Sequence, residues 1–165
     1  FSGDDAFKPT HVLSGGENDD PGFTQLIESC GAMVVADRDC DGSLPGREEI
    51  AVAAGQSPLD AIARHYIDTS MCPRYMEQHV MRERKQYLAD LAKEYNADGI
   101  IVESNKFCEY WSYERTIDTI ILNRDFGIPV CSIEKEYINN ASGQLRTRFQ
   151  AFIESIEIKK IQEGK

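Results

Sequence analysis

Four short apolar runs alternate along this chain with longer segments of helical periodicity, and this alternation restricts the folds that the chain can adopt. The runs occupy residues 11–14, 32–36, 100–102 and 130–133, and turn-forming or polar residues bound them. Strands that are separated by helices are joined by right-handed crossovers and lie parallel in one sheet. The pattern therefore predicts a three-layer α/β fold with helices on both faces of a four-stranded parallel sheet.

The strand order follows by analogy with known sheets of this type. In the flavodoxin-like or Rossmann-like arrangement the order would be 2-1-3-4. With 165 residues, of which 41% are hydrophobic and 28% are charged, the chain is long enough for a single domain over residues 1–165. Because the sequence begins at Phe1 and not at methionine, we expect this domain to be part of a longer protein.

Capping residues predict where the helices begin and end. Asp20 and Ser57, each followed by proline, predict the starts of the first two helices. A long third helix is expected from about residue 76 to residue 95. Ser112 can cap a fourth helix, and Gly127 would end it.

The spacing of apolar residues predicts which side of each helix is buried. The predicted buried residues are Leu59, Ile62, Ala63 and Tyr66 in the second helix, Ile117, Ile120 and Ile121 in the fourth, and Leu145, Phe149, Phe152, Ile153 and Ile156 in the last. We expect these side chains to pack against the rest of the domain.

Charge and hydropathy exclude two classes of partner. The chain has 28 acidic and 18 basic residues and a formal net charge of −10, whereas proteins that bind nucleic acid need a concentrated basic face. No apolar run approaches the roughly 18 residues that a membrane helix needs. We therefore expect a cytoplasmic protein with neither a nucleic-acid nor a membrane partner.

The five cysteines divide into two groups by their position in the predicted elements. Cys30 and Cys131 fall on apolar faces and are expected to be core residues. Cys40, Cys72 and Cys108 fall in loops with charged or proline neighbours, where a thiolate could bind a metal or an iron-sulfur cluster. One hypothesis is a local site in which the sulfurs of these three cysteines converge. No CxxC pair is present, so reduced thiols are expected and not a disulfide framework.

Loops at the carboxyl ends of the strands contain the other candidates for chemistry. The Ser14-Gly15-Gly16 turn could approach a phosphate or could be a simple tight turn. Ser142, Gly143 and Gln144 open the last helix, with Arg146 and Arg148 close behind, and could bind a carboxylate, phosphate or thioester oxygen or form a capped surface helix. The three histidines, His11, His65 and His79, have no suggestively spaced partner for a catalytic triad.

Several motifs, in this order and spacing, resemble the carboxyl-terminal part of the 2-hydroxyacyl-CoA dehydratase and benzoyl-CoA reductase family. The motifs are Lys-Phe-Cys-Glu-Tyr-Trp at 106–111, Gly-Ile-Pro-Val at 127–130, Glu-Tyr at 136–137 and Ser-Gly-Gln-Leu-Arg-Thr-Arg-Phe-Gln-Ala-Phe at 142–152. Upstream, residues 31–42, with Cys40, and residues 61–73, with Cys72, are similar to segments of the same subunits. The likeness therefore covers nearly the whole chain.

The resemblance implies that the chain is the second α/β lobe of a subunit about twice its length. Family subunits bind a four-iron four-sulfur (4Fe-4S) cluster through three cysteines, two in the first lobe and one in the Lys-Phe-Cys loop, which is Cys108 here. Glu109 stands where an aspartate is usual, so the role of that carboxylate is open. The isolated chain would hold the cluster poorly and would be inactive.

The implied chemistry is single-electron reduction of an acyl-CoA thioester. It needs a paralogous partner subunit and an ATP-dependent iron-sulfur activator protein. The residues do not distinguish a dehydratase, which is a lyase, from an aromatic-ring reductase. A rival hypothesis from another class is a non-catalytic, flavodoxin-like binding or regulatory module.

Overall fold

A central parallel sheet with a helix after each strand accounts for most of the computed structural model, which describes residues 8–40, 42–69, 71–74, 77–136 and 142–163. The elements are β1 (Thr10–Ser14), α1 (Pro21–Glu28), β2 (Met33–Arg38), α2 (Pro58–Thr69), α3 (Gln78–Glu94), β3 (Gly99–Asn105), α4 (Glu109–Phe126), β4 (Val130–Lys135) and α5 (Ser142–Gln162). A short 3₁₀ turn, Leu44–Gly46, lies between β2 and α2.

The four strands are all parallel and lie in the order β2-β1-β3-β4. The predicted order 2-1-3-4 is therefore confirmed. In the centre of the sheet Val12 lies opposite Ile100, and Ile101 lies opposite Cys131. The chain runs from β1 outward to β2 and then crosses back past β1 to β3, so the direction in which strands are added changes between β1 and β3. In such folds, ligand-binding crevices form beside that point, at the carboxyl edge of the sheet.

Helices cover both faces of the sheet, as predicted. Ile100 and Ile101 are both fully buried because successive residues of a strand point to opposite faces. On one face, α1 and α5 pack with Ile101 in a cluster that includes Leu13, Phe23, Ile27, Leu145, Phe149 and Ile153. On the other face, α3 and α4 pack with Ile100 in a cluster that includes Val12, Leu88, Leu91, Val102 and Leu122.

Two of the predicted helix caps are present in the structure. The Asp20 side chain accepts a 2.8 Å hydrogen bond from the Gly22 amide, and Pro21 is the first residue of α1. Gly127 ends α4 with φ of 68°, a left-handed conformation that glycine adopts without steric cost. No helix among the described residues combines the length and apolar character that a membrane crossing requires.

The predicted buried side of α2 is wrong. Leu59 is 75% exposed and Tyr66 is 53% exposed, Ile62 and Ala63 are exposed too, and the buried residue is Ala61. Helix α2 packs against the Leu44–Gly46 turn and lies in the long connection between β2 and α3. Its apolar stripe therefore faces away from the sheet.

The predicted start and buried side of α4 also need correction. The helix begins at Glu109 with Cys108 as the N-cap, so Ser112 lies inside the first turns and does not cap it. Ile120, predicted to face the sheet, is 55% exposed. The buried residues of α4 are Trp111, Glu114, Asp118 and Leu122, because two of its acidic side chains pair with basic side chains of α3.

Candidate functional site at the carboxyl edge of the sheet

Cys108 lies in a tight turn between β3 and α4. The Cys108 amide donates a 3.1 Å hydrogen bond to the carbonyl of Asn105, and the Cys108 carbonyl accepts one of 3.0 Å from the Ser112 amide. Phe107, with φ of 68° and 99% exposure, is a non-glycine residue in the left-handed region. Such strain is retained where the surrounding structure fixes a loop, as happens at functional sites. The turn thus holds the half-buried Cys108 thiol at the amino end of α4.

Two contacts tie this turn to the neighbouring strand β4. The Lys106 amide donates a 2.8 Å hydrogen bond to the Lys135 carbonyl, and Lys106 Nζ lies 2.8 Å from Glu136 Oε1. Pairing with Glu136 raises the pKa of Lys106 and lowers that of Glu136. The pair is exposed and contributes little to stability, so the backbone hydrogen bond is what positions the turn.

A buried lysine and a buried glutamate join β3 and β4 to the loop after β1. Lys135 Nζ lies 3.7 Å from Glu103 Oε2, donates a 3.1 Å hydrogen bond to Asn18 Oδ1, and sits 4.6 Å from the centre of the Phe23 ring. Asn105 Nδ2 donates a 3.2 Å hydrogen bond to the carbonyl of Glu17 in the same loop. The carboxyl edge is therefore a connected polar layer.

The glycine turn after β1 packs closely on this layer. A Cβ atom at Gly15 would lie 2.2 Å from Glu103 Oε1, and one at Gly16 would lie 3.4 Å from Trp111 Cδ1. Both glycines are buried. Close backbone approach explains why glycine occupies these positions, so the tight-turn interpretation accounts for them without a bound phosphate.

A cluster of charged side chains is buried between α3 and α4, and sequence reasoning missed it. Glu114 accepts hydrogen bonds from Arg84 Nε at 2.6 Å and Nη2 at 3.0 Å, and it also pairs with Lys85. Lys85 Nζ lies 2.7 Å from Asp118 Oδ1 as well. A signal was present, because Trp111, Glu114, Asp118 and Leu122 recur at helical spacing on one side of α4.

Burial and pairing act in opposite directions on the two acids of this cluster. Burial alone would raise the pKa of Glu114, but hydrogen bonds and charges from Arg84 and Lys85 outweigh it and lower the pKa. For Asp118 burial prevails over the attraction of Lys85, and repulsion by Glu114 adds to it, so the pKa rises to about 6. The cluster anchors the helix that begins at the Cys108 turn.

The core cysteines are confirmed. Cys30 Sγ donates a 3.2 Å hydrogen bond to the Leu26 carbonyl and packs against the cluster between the sheet and α1 and α5. Cys131 is buried in β4, and burial raises its pKa to about 11. The Cys131 thiol is therefore not poised for reaction, because thiolate is the reactive form.

The hypothesis of a local three-cysteine site is wrong for this structure. Cys40, Cys72 and Cys108 all belong to the described residues, and within these no group of three or more His, Cys, Asp or Glu side chains lies close enough to hold a metal ion. Burial raises the pKa of Cys40, and the Cys72 thiol raises it further. The assignment of Cys108 as a ligand stays a prediction.

The residues predicted to bind substrate lie at the start of α5. Gly143 and Gln144 are exposed, Ser142 is the first residue of the helix, and the preceding residues 137–141 lie outside the described part of the chain. Arg148 is not simply solvated, because its Nη2 donates a 2.7 Å hydrogen bond to the Ser132 carbonyl of β4. Helix α5 begins at the same edge as the Cys108 turn because it follows a parallel strand.

The three histidines lie on different elements, β1, α2 and α3. His11 is fully buried in β1, with its ring 5.4 Å from that of Phe152. Burial lowers the pKa of His11 from 6.5 to about 4. A buried neutral imidazole of this kind is a structural residue, which agrees with the lack of a catalytic triad motif.

His11 predicts a pH dependence of stability. Its folded pKa of about 4 lies below the ordinary 6.5, so its contribution is complete above about pH 6.5 and is lost as the pH falls toward 4. The loss amounts to roughly 3 kcal/mol. We expect urea unfolding to show that the stability of wild type relative to His11→Leu falls by about this amount between pH 7 and pH 4. A constant difference between the two proteins across this range would contradict the assignment.

Comparison with known proteins gives a family match over most of the chain. Residues 3–156 match the family of the 2-hydroxyglutaryl-CoA dehydratase D-component. The chain is 33% identical over 103 residues to the (R)-phenyllactyl-CoA dehydratase beta subunit of Clostridium sporogenes, which covers 61% of this chain and 26% of that protein. It is 29% identical over 133 residues to the putative dehydratase subunit YjiM of Escherichia coli (strain K12), which covers 80% of this chain and 33% of that protein.

The chain thus spans about a quarter to a third of the length of these curated relatives. The family match includes every strand of the sheet and the Cys108 turn. It also includes the start of α5 and most of that helix. The chain belongs to the 2-hydroxyglutaryl-CoA dehydratase D-component family.

Proposed function

We propose that this chain is the carboxyl-terminal lobe of an iron-sulfur subunit in a radical enzyme of the 2-hydroxyacyl-CoA dehydratase or benzoyl-CoA reductase type. The observation that carries the proposal is the family match over residues 3–156 together with the position of Cys108 at the carboxyl edge of β3. The full enzyme is cytoplasmic and works with a paralogous partner subunit and an ATP-dependent iron-sulfur activator.

Cys108 suits the role of one cluster ligand. It is half-buried, lies in a turn held by backbone hydrogen bonds, and sits at the amino end of an 18-residue helix. The family resemblance implies that the other two cysteine ligands belong to the first lobe of the subunit. A bound 4Fe-4S cluster would supply single electrons for the reduction of an acyl-CoA thioester. The isolated chain is accordingly inactive.

This lobe contributes the frame that fixes the turn and a surface for the substrate. The buried pairs of α4 with α3, and of Lys135 with Glu103, hold the carboxyl edge rigid. Ser142, Gly143 and Gln144 open a long helix at this edge. The free amides of a helix start suit an oxygen of the acyl-CoA substrate, in its thioester or its phosphates.

The Cys108→Ser variant tests the ligand assignment. In the full subunit, reconstituted with iron and sulfide without oxygen, we expect the variant to lose most of the cluster iron and the visible absorbance that wild type gains. Serine differs from cysteine in one atom, so the fold should be retained, which circular dichroism can check. Cys30→Ser is a matched control, because Cys30 bonds to the Leu26 carbonyl of its own helix. Equal iron content in Cys108→Ser and wild type would overturn the assignment.

A non-catalytic, flavodoxin-like binding or regulatory module is the second candidate. It is favoured by the incomplete ligand set of the described residues. If this candidate is correct, the full subunit, mixed with its partner subunit, should gain no iron-sulfur absorbance at all. Uptake that depends on Cys108 would exclude it.

A further inference from the structure

Three polar side chains are buried at the carboxyl ends of neighbouring strands. Ser14 ends β1, Arg38 ends β2, and Ser104 is the last residue but one of β3. The exposed fraction of each is 1% or less. Each lies two residues after an apolar residue that packs under α3 and α4, so all three side chains point to that face of the sheet. Ser14 and Arg38 are paired in the register of the sheet and therefore lie side by side.

The side chains of Arg38 and Trp111 meet above the ends of the two central strands. Arg38 Cζ lies 5.4 Å from the centre of the Trp111 ring, although Arg38 is on β2 and Trp111 is on α4, which packs over β3 and β4. A Cβ at Gly16 would lie 3.4 Å from Trp111 Cδ1, so the indole is beside the turn that follows Ser14. A 2.7 Å hydrogen bond from Arg38 Nη2 to the Met71 carbonyl holds the guanidinium in this position.

These buried groups have hydrogen-bonding capacity that the protein does not use. Within the described part of the chain, Arg38 Nε, Arg38 Nη1 and the hydroxyl oxygens of Ser14 and Ser104 have no hydrogen-bond partner. Buried polar groups in folded proteins pair with other protein groups, with water or with a bound ion. An arginine nitrogen can only donate, and a serine hydroxyl can donate as well. The group therefore suits a ligand that accepts several hydrogen bonds.

The charges on this face of the sheet favour an anion as that ligand. Arg38, Arg84 and Lys85 are three buried cations, whereas the helices that cover the face supply two buried carboxylates, Glu114 and Asp118. Both carboxylates pair directly with α3, and Arg38 forms no direct ion pair with a described residue. A buried charge is unfavourable unless it is paired. Guanidinium groups match the oxygens of carboxylates and phosphates in geometry as well as in charge.

We propose that Arg38, Ser14 and Ser104 form a binding site for a small oxyanion, a carboxylate or a phosphate, beneath the first turn of α4. The guanidinium and the two hydroxyls donate to its oxygens, and the Trp111 ring lies beside it. A bound anion joins the ends of β1, β2 and β3 under the helix whose N-cap is Cys108. The site does not depend on the proposed function, because it needs neither cluster nor acyl-CoA.

The test follows the fluorescence of the purified 165-residue chain while phosphate or acetate replaces chloride at constant ionic strength. Trp111 is the only tryptophan of the chain and lies beside the guanidinium, so binding should change its emission. We expect a change that saturates with at least one oxyanion, together with a higher melting temperature in that salt. Saturation with acetate alone would identify the ligand as a carboxylate, and saturation with phosphate alone would identify it as a phosphate.

Variants then locate the site. Arg38→Gln removes the charge and should weaken binding of the effective anion at least about tenfold. Ser14→Ala should also weaken binding, and because it keeps the contacts of Arg38 it gives a result even where Arg38→Gln folds poorly. Arg64→Gln, on the exposed surface of α2, is the matched control and should bind like the wild type. A wild-type response that is absent or does not saturate would overturn the proposal, as would wild-type affinity in Ser14→Ala and Arg38→Gln.

Discussion

The Gly15→Ala variant is expected to lose about 3 kcal/mol of the free energy of unfolding. The added Cβ would lie 2.2 Å from Glu103 Oε1 and 2.4 Å from Glu103 Cγ. Glu103 is fully buried and cannot swing into solvent, and moving it disturbs its pairing with Lys135. Urea denaturation would show the loss as a lower midpoint with an unchanged slope.

Gly46→Ala is the matched control for this prediction. A Cβ at Gly46 would meet no atom within 4 Å, so the same change of side chain there should alter stability by less than about 0.5 kcal/mol. If both variants unfolded at the wild-type midpoint, the close packing of the glycine turn on Glu103 would be refuted.

The fold was predictable because its determinants are local in the sequence. Each strand is a short apolar run, and Asp20 and Gly127 are capping residues whose chemistry works within one turn of chain. Alternation of strands with helices then leaves few topologies, and the analogy with known sheets selected the correct order. The position of Cys108 after β3 followed from the same pattern.

The buried charges were not predictable in this way, because their partners come from different helices. Apolar spacing alone assigned Ile120 to the inside of α4, whereas pairing with Arg84 and Lys85 turns Glu114 and Asp118 inward. The prediction of the buried side of α2 was wrong for a related reason. Spacing shows that Leu59 and Tyr66 share a side of the helix, but it does not show whether the domain covers that side.

The same limit applies to the candidate site. Sequence spacing separates Cys40 from Cys72 by a long connection, whereas a 2.7 Å hydrogen bond from Arg38 Nη2 to the Met71 carbonyl joins the segments next to them. Conversely, the three loop cysteines looked equivalent in the sequence, yet they do not form one ligand group. Which loops meet is decided by long-range packing, and local patterns do not encode it.

Glu114→Gln is expected to destabilise the protein by about 3–5 kcal/mol near neutral pH. Glutamine keeps the shape of the side chain but removes the charge that Arg84 and Lys85 share. Asp118 remains for Lys85, whereas the buried Arg84 loses the charge of the carboxylate that it pairs with. Urea denaturation of the variant and the wild type measures the difference.

The pH dependence of this effect has a definite sign. The folded pKa of Glu114 lies below its ordinary 4.5, so its contribution is complete above about pH 4.5 and is lost as the pH falls through the lower folded value. The variant and the wild type should therefore converge in acid. Asp60→Asn serves as the exposed counterpart, because Asp60 pairs with Arg64 at 3.2 Å on the surface of α2, where such a pair contributes little to stability. If Glu114→Gln cost no more than Asp60→Asn, the buried cluster would not be what anchors α4 and the Cys108 turn at its start.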